Sequence, residues 1–364
     1  MENTIGFIGF GLIGGSIAKG IRRAHPEVRL LAYMRDREKL GQALRDGLVD
    51  EALDPFGPGL SDCGMVFLCA PVEHNSSFLG QIRPFLHGDA IVTDVGSTKT
   101  GIHREVSRLG MEDVFIGGHP MAGSEKTGFE HSSETMLENA YYLLTPTPRT
   151  TQGRLARLRE VVEATKAIPL TLSSEEHDEI VAAVSHLPHL VASTLVNTVK
   201  DHDGPRQLMK QLAAGGFKDI TRIASSSPEM WEQICLANAA PIRAVLSTYI
   251  DALRETLAQL EAGNRTYLKG MFEESRTYRD SITDRAKGSI LPDYSFSVNI
   301  ADEVGAISTL SVILAAKGIS IRNIGINNNR ESGEGTLLIS FYDREAMDKA
   351  WTVLEQYRYE LFGQ

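Results

Sequence analysis

Ile5-Gly-Phe-Ile-Gly-Phe-Gly-Leu-Ile-Gly-Gly-Ser16 joins a short apolar run to a glycine-rich turn. Gly9, Gly11 and Gly14 fall on the spacing G-x-G-x-x-G. The first glycine permits a tight turn, the second lets backbone approach a pyrophosphate, and the third lets the next helix pack closely on its sheet. Ser16, Ile17 and Ala18 then open a helix whose free N–H groups and positive dipole end face the phosphates. An ordinary strand-to-helix turn can carry the same glycines, so context decides. A strand precedes, an amphipathic segment (Ile17, Ala18, Ile21) follows, and a second apolar strand, Val28 to Tyr33, arrives at the spacing of a βαβ unit. We therefore expect a dinucleotide cofactor, cradled by Gly9, Phe10, Gly11, Leu12, Ile13 and Gly14, with Pro71 and Lys99 as further contacts.

At 364 residues the chain is long for one core, and two or three domains are expected. With 37 Lys and Arg against 47 Asp and Glu, the net charge of -10 offers no basic stripe to nucleic acid and no attraction to an anionic membrane. The longest apolar runs, such as Met65 to Val72, are strand-length and short of a bilayer span. The opening Met-Glu-Asn-Thr lacks a charged signal region, so a cytoplasmic location is expected. Cys63, Cys69 and Cys235 are odd in number and share no ligand spacing, which suits reduced thiols and gives no metal site.

Apolar runs at Thr4 to Ile8, Val28 to Tyr33, Met65 to Ala70, Ala90 to Asp94, Val114 to Gly117 and Tyr141 to Thr145 alternate with helical segments. That pattern predicts an α/β nucleotide domain over residues 1–148, a Rossmann-like doubly wound sheet. Pro146 and Pro148 punctuate the chain, and strand signals then nearly vanish. Residues 149–287 read as a helical substrate and dimerisation domain. His177 to Lys200 is apolar on almost every side, so it belongs inside a bundle or against a second subunit. After Lys287-Gly-Ser-Ile-Leu-Pro292 the period changes again. Residues 293–364 read as βαββαβ, a ferredoxin-like unit of about 70 residues with its own core. In that unit the turn Asp302 to Gly305 is placed to offer backbone N–H groups to a small ligand.

Thr93-Asp94-Val95-Gly96-Ser97-Thr98-Lys99 leaves a strand for a helix at the carboxyl edge, where such sheets bind ligands. Ser97 reads equally as a helix N-cap or a catalytic hydroxyl. Lys99, a cation in a helix's first turn, opposes the macrodipole and implies solvent exposure or an anion beside it. Gly117-Gly-His-Pro-Met-Ala-Gly-Ser-Glu-Lys126 reads as a shaped loop. Its His119 is suited to take a hydroxyl proton during hydride removal from a secondary alcohol. Ser124 and Glu125 follow it, and Glu125 either orients a ring or is solvated surface. Ser185-His-Leu-Pro-His189 puts His186 and His189 on one helix face, with Pro188 kinking the helix. One of the two is a core histidine in this reading, and zinc lacks further ligands. Gly215-Gly-Phe-Lys-Asp-Ile-Thr-Arg222, with Trp231 beyond, offers Arg222 as a carboxylate fork, unless it pairs with Asp219 on a solvated helix.

In this order, the glycine turn, Asp-Val-Gly-Ser-Thr-Lys, Gly-Gly-His-Pro-Met-Ala-Gly-Ser-Glu-Lys, Ser-His-Leu-Pro-His and Gly-Gly-Phe-Lys-Asp-Ile-Thr-Arg resemble the prephenate dehydrogenase family of tyrosine biosynthesis over roughly residues 4 to 286. Residues 294 to 364 resemble an ACT domain, an amino-acid-sensing module. The resemblance implies oxidative decarboxylation of prephenate, with hydride passing to NAD or NADP. It makes His119 the base on the ring hydroxyl and has Ser97 hydrogen-bond both. His189 and Arg222 fall on the substrate, and His186, Ser124, Glu125, Asp219 and Trp231 around it. It also implies a homodimer and tyrosine as effector, bound near Asp302, Gly305, Asn323 and Ile324. Arogenate is the alternative substrate, and more distant readings are a β-hydroxyacid dehydrogenase or a nucleotide-sensing regulator. One departure concerns the cofactor. Where NAD users carry an acidic residue, about 20 positions past the last glycine, this chain has Met34-Arg35. Arg35 can pair with a 2'-phosphate, which predicts NADP acceptance, although Asp36 one position on could restore a carboxylate.

Overall fold

Strands buried on both faces organise the first part of the protein. In the computed structural model, β1 (Thr4–Ile8), β4 (Met65–Leu68) and β5 (Ile91–Asp94) are almost wholly buried, the mark of a parallel sheet covered by helices on each side. With β2 (Arg29–Tyr33) and the short β3 (Glu51–Ala52) they form a parallel sheet of order β3-β2-β1-β4-β5. Helices α1 (Leu12–Ala24), α2 (Arg37–Arg45), α3 (Val72–Ile82) and α4 (Thr100–Leu109) connect these strands or follow them. The structure describes residues 2–123, 126, 128–282, 294–300, 305–328 and 335–363, in two units, Met1–Gly288 and Ser289–Gln364.

The expected single doubly wound sheet is in fact two sheets. Strands β6 (Ile116–Pro120), β7 (Tyr141–Pro146) and β8 (Ile168–Thr171) form a separate mixed sheet, β6 antiparallel to β7 and β7 parallel to β8. One isolated bridge, Val92 with Phe115, joins it to β5. His119 consequently sits in a strand opposite Leu143, not in a loop. Two glycines permit this packing. A Cβ on Gly118 would lie 2.5 Å from the Asp94 carbonyl oxygen, and one on Gly117 would run into the Thr145 hydroxyl.

Nor does the nucleotide-binding part end at Pro148. Helix α5 (Gln152–Ala164) buries Leu158, Val161 and Val162 in the same core as Ile5, Phe7 and Ile17, and β8 extends the second sheet. The Pro-Thr-Pro signal marks only the turn between β7 and α5. Helices then dominate: α6 (Ser174–Val181), a π-helical turn at Ala182–His186, and α7 (Leu187–His202) run on as one rod. Pro188 in the first turn of α7 cannot donate a backbone hydrogen bond, and the widened π turn takes up that defect. The rod is long and apolar enough to cross a membrane, with 22% of its most apolar window buried within this chain. Its His177 and Asp178 are nevertheless buried against β6 and α4. Helices α8 (Leu208–Leu212), α9 (Gly215–Thr221), α10 (Pro228–Ala237), α11 (Ala239–Glu261) and α12 (Arg265–Ser281) complete this unit.

The second unit runs β9 (Tyr294–Ile300), α13 (Ala306–Ala316), β10 (Ile321–Asn328), β11 (Gly335–Phe341), α14 (Arg344–Gln356) and β12 (Glu360–Gly363). Its antiparallel sheet has the order β10-β11-β9-β12, the ferredoxin-like arrangement. Phe296, Val298, Leu337 and Ile339 from the sheet pack with Leu310, Leu314, Ala350 and Leu354 from the two helices as a separate core.

Candidate active site

The glycine turn has the shape that its sequence implies. Gly9 has φ of 87°, and a Cβ there would come within 2.6 Å of the Ala70 nitrogen. Gly11 caps α1 without a side-chain hydrogen bond, no acidic residue stands in the first turn, and the space where its Cβ would project is open. Those free N–H groups make a phosphate cradle, so the residues present fit a dinucleotide. A Cβ on Gly14 would come within 3.3 Å of the Cys69 Cβ and Sγ, so this glycine lets the helix pack closely. The Phe10 side chain is buried between Phe7 and Phe129, so only its backbone faces the turn. Pro71 is exposed as the N-cap residue of α3. Arg35 is exposed after β2, while Asp36 caps α2 by accepting from the Glu38 and Lys39 nitrogens at 3.1 and 3.0 Å. Its carboxylate is therefore engaged in the helix cap.

Lys99 also corrects an expectation. It is fully buried and reaches Asp94 at 2.5 Å, so its anion is a protein carboxylate and not a cofactor phosphate. Asp94 further accepts from the Gly118 nitrogen at 3.1 Å and the Gly96 nitrogen at 2.9 Å. Burial pushes the Lys99 ammonium down from its ordinary value, against the pull of Asp94. Ser97 does not cap α4, because Lys99 occupies the N-cap position. The capping carboxylate is Asp178, which accepts from the backbone nitrogens of Lys99 and Thr100, each at 2.8 Å.

His119 reaches the helical rod. Its Nδ1 lies 2.8 Å from Nε2 of His177, whose own Nδ1 lies 2.8 Å from Oδ1 of Asp178. The rings of His119 and His177 are tilted, with centroids 5.0 Å apart. No hydrogen bond joins Ser97 to His119 among the described residues, contrary to expectation. Burial holds His119 well below the ordinary imidazole range, and the nearby His177, Lys99 and His186 act in the same direction. For Asp178, burial opposes ionisation, but hydrogen bonds from His177, Thr100 and Lys99 hold the carboxyl below its usual value.

A second group lies further along the rod. His186 is buried and its Nδ1 accepts from Asn238 Nδ2 at 3.1 Å, which makes it the core histidine of the pair; burial pushes it down to about 4. Half-buried His189 stacks on Trp231 with centroids 3.6 Å apart and hydrogen-bonds the backbone of Ile223. Burial lowers His189, and neighbouring Arg222 adds to the effect. Trp231 also meets the edge of His186 at 5.9 Å, so His186, His189, Trp231 and Arg222 converge. Arg222 and Asp219 are exposed, and no ion pair joins them among the described residues. Ser124, Glu125 and Asp302 lie outside the described residues. Gly305 has φ of 93° at the start of α13, and Asn323 and Ile324 lie on β10. Asp94, His177, Asp178 and Asn238 were not singled out by sequence reasoning. His177 and Asp178 sit in the polar run Ser173-Ser-Glu-Glu-His-Asp-Glu179, where nothing local sets them apart.

Residues 17–169 match the prephenate dehydrogenase nucleotide-binding domain, and residues 173–274 match the prephenate dehydrogenase dimerization domain. The chain belongs to the prephenate dehydrogenase family. It is 37% identical to prephenate dehydrogenase of Bacillus subtilis, across 100% of this chain and 98% of that protein. Among solved structures it is similar to prephenate dehydrogenase from A. aeolicus in complex with hydroxyphenyl propionate and NAD+. That likeness has 31% identity and a TM-score of 0.73, covering 77% of this chain and 98% of the other. Synechocystis arogenate dehydrogenase gives 32% identity and a TM-score of 0.70, covering 77% of this chain and 100% of the other. Like its family, the chain is an NAD(P)-dependent oxidoreductase.

Proposed function

We propose that this prephenate dehydrogenase family member converts prephenate to 4-hydroxyphenylpyruvate and carbon dioxide, with His119 as the base on the ring hydroxyl. The observation that carries this reading is a buried, neutral imidazole whose Nδ1 is already engaged by His177. That leaves Nε2 to take a proton. When bound, NAD or NADP accepts the hydride from the ring carbon that bears the hydroxyl. His119 takes the hydroxyl proton, the bond to the ring carboxylate breaks, and its electron pair completes the aromatic ring. The same proton then returns to the phenolate oxygen. Aromatisation drives the reaction, so the residues mainly align and polarise. His189, stacked on Trp231, and the fork of Arg222 hold the substrate, Arg222 on a carboxylate; Ser97, Ser124, Glu125, Asp219 and His186 surround them.

Further parts of the proposal rest on single features. Arg35, with Asp36 occupied in its cap, supports acceptance of NADP. A homodimer is supported by Leu253, Leu257 and Leu260 on α11 and Phe272 on α12, all at least half exposed. The ferredoxin-like unit acts as an ACT domain that binds tyrosine near residues 302–305 and 323–325. Residues up to about 172 then form the nucleotide domain and 173–287 the dimerising one, in the cytoplasm. Reduced-nicotinamide absorbance with prephenate or arogenate and NAD or NADP, in all four combinations, tests the reaction. Turnover with prephenate is expected. Turnover with arogenate alone would reassign the substrate, and silence in all four from folded, nucleotide-binding protein would overturn the reading.

A further inference from the structure

We infer that the buried pair His177 and Asp178 fixes the tautomer of His119, so that Nε2 always presents its lone pair to the substrate hydroxyl. The inference rests on His119 being the base. It begins at the amino end of α4. The nitrogens of Lys99 and Thr100 can only donate, and they hold the Asp178 carboxylate by both of its oxygens, Oδ1 and Oδ2. Asp178 Oδ1, an acceptor, therefore meets a proton on Nδ1 of His177 at 2.8 Å. A neutral His177 then has its lone pair on Nε2, and the 2.8 Å contact to His119 requires the proton on His119 Nδ1. Any other assignment of two neutral rings sets two protons or two lone pairs face to face, or strips the carboxylate of its donor.

The surroundings keep this order in place. His177 is 0% and Asp178 1% exposed, so water does not reshuffle the protons. Lys99 Nζ, bonded to Asp94, places positive charge near both rings and opposes protonation of His177, as burial does. Among the described residues, His103 and His186 are further titratable groups near this cluster, and burial lowers both, while the Asp94 carboxylate pulls the other way on His177 and His103. When His119 takes the substrate proton, the new imidazolium donates Nδ1–H to His177, and the Asp178 carboxylate stands behind it. That is the logic of a base oriented by a third group. His177 and Asp178 touch no reacting atom in this scheme and are positioning residues. Asp178 also joins the helical rod to the turn that ends β5, so the rod and the nucleotide-binding sheet share one hydrogen-bonded network.

Two substitutions separate this role from simple packing. His177→Gln keeps an acceptor oxygen where Nε2 stands, whereas His177→Leu fills similar space with none. Loss of the orienting acceptor should lower kcat by about 10²-fold or more, with KM changed by less than about threefold, in His177→Leu. His177→Gln should stay within about tenfold of the parent. Nitrogen spectra of 15N-histidine-labelled protein, with His119→Asn to assign the signal, should show Nδ1–H on His119 in the parent and a mixture in His177→Leu. Equal losses in the two variants, or Nε2–H on His119 in the parent, would overturn the inference. A parent inactive with every substrate would instead overturn the proposed reaction, and the spectra would still decide the tautomer.

Discussion

In the proposed reaction His119 is the base, and its surroundings disfavour the charged ring and so keep it ready to accept a proton. Its working form is neutral, and burial, with His177, Lys99 and His186 nearby, lowers its affinity for protons. Lowering the pKa of a base moves the acid limb of activity downward. The log of kcat/KM should therefore stay flat as pH falls through 6.5, the ordinary imidazole value, and bend only below it. A steady-state profile over pH 5 to 9 checks this, and a limb at or above 6.5 would contradict it. The histidine was legible in the sequence as a candidate base from its place beside the glycines and Pro120, and the structure shows it buried. Its partner was not legible, because His177 lies 58 residues away and only folding brings it to 2.8 Å. Arg35 belongs to the same scale. Arg35→Ala should raise KM for NADP by about tenfold, the worth of one surface-exposed charge-assisted contact, and leave KM for NAD nearly unchanged. Equal effects on both would remove Arg35 from cofactor choice.

The turn from β5 into α4 shows how an element can hide its own logic. A lysine at a helix start looked like an invitation to a phosphate, but Asp94 at the strand end and Asp178 from α6 supply the negative charge. Contacts across 79 residues leave no local pattern to read. The buried pair also predicts a stability effect. Lys99→Met leaves Asp94 buried without its cation, and breaking such a pair costs about 3–5 kcal/mol. The urea midpoint should fall accordingly, and an unchanged midpoint would mean that the ion pair adds nothing. The glycine turn and the His-x-x-His segment were legible because each is one turn or two of chain with its own geometry. The second half of β6, Gly118 to Pro120, was mistaken for a loop because Gly117, Gly118 and Pro120 carry turn chemistry, while the two glycines in fact allow close packing against Thr145 and Asp94.

Across the whole molecule, changes of hydrophobic period placed the sheet, the helices and the final βαββαβ unit correctly in order. The first boundary was misplaced because α5 and β8 pack back onto the nucleotide-binding core after a proline turn. Towards the end of the chain, the unit Ser289–Gln364 keeps a core of its own. Ending the chain at residue 287 should leave kcat within about threefold and abolish any tyrosine inhibition, because coupling requires two sites. Tyrosine inhibition surviving the truncation would place the sensor elsewhere. The most direct test of the central claim compares the parent with His119→Asn, following reduced-nicotinamide absorbance with prephenate while nucleotide affinity is measured alongside. Loss of kcat by about 10²–10⁴-fold at unchanged nucleotide affinity is the predicted result for a general base. A variant that turns over prephenate as fast as the parent would contradict it.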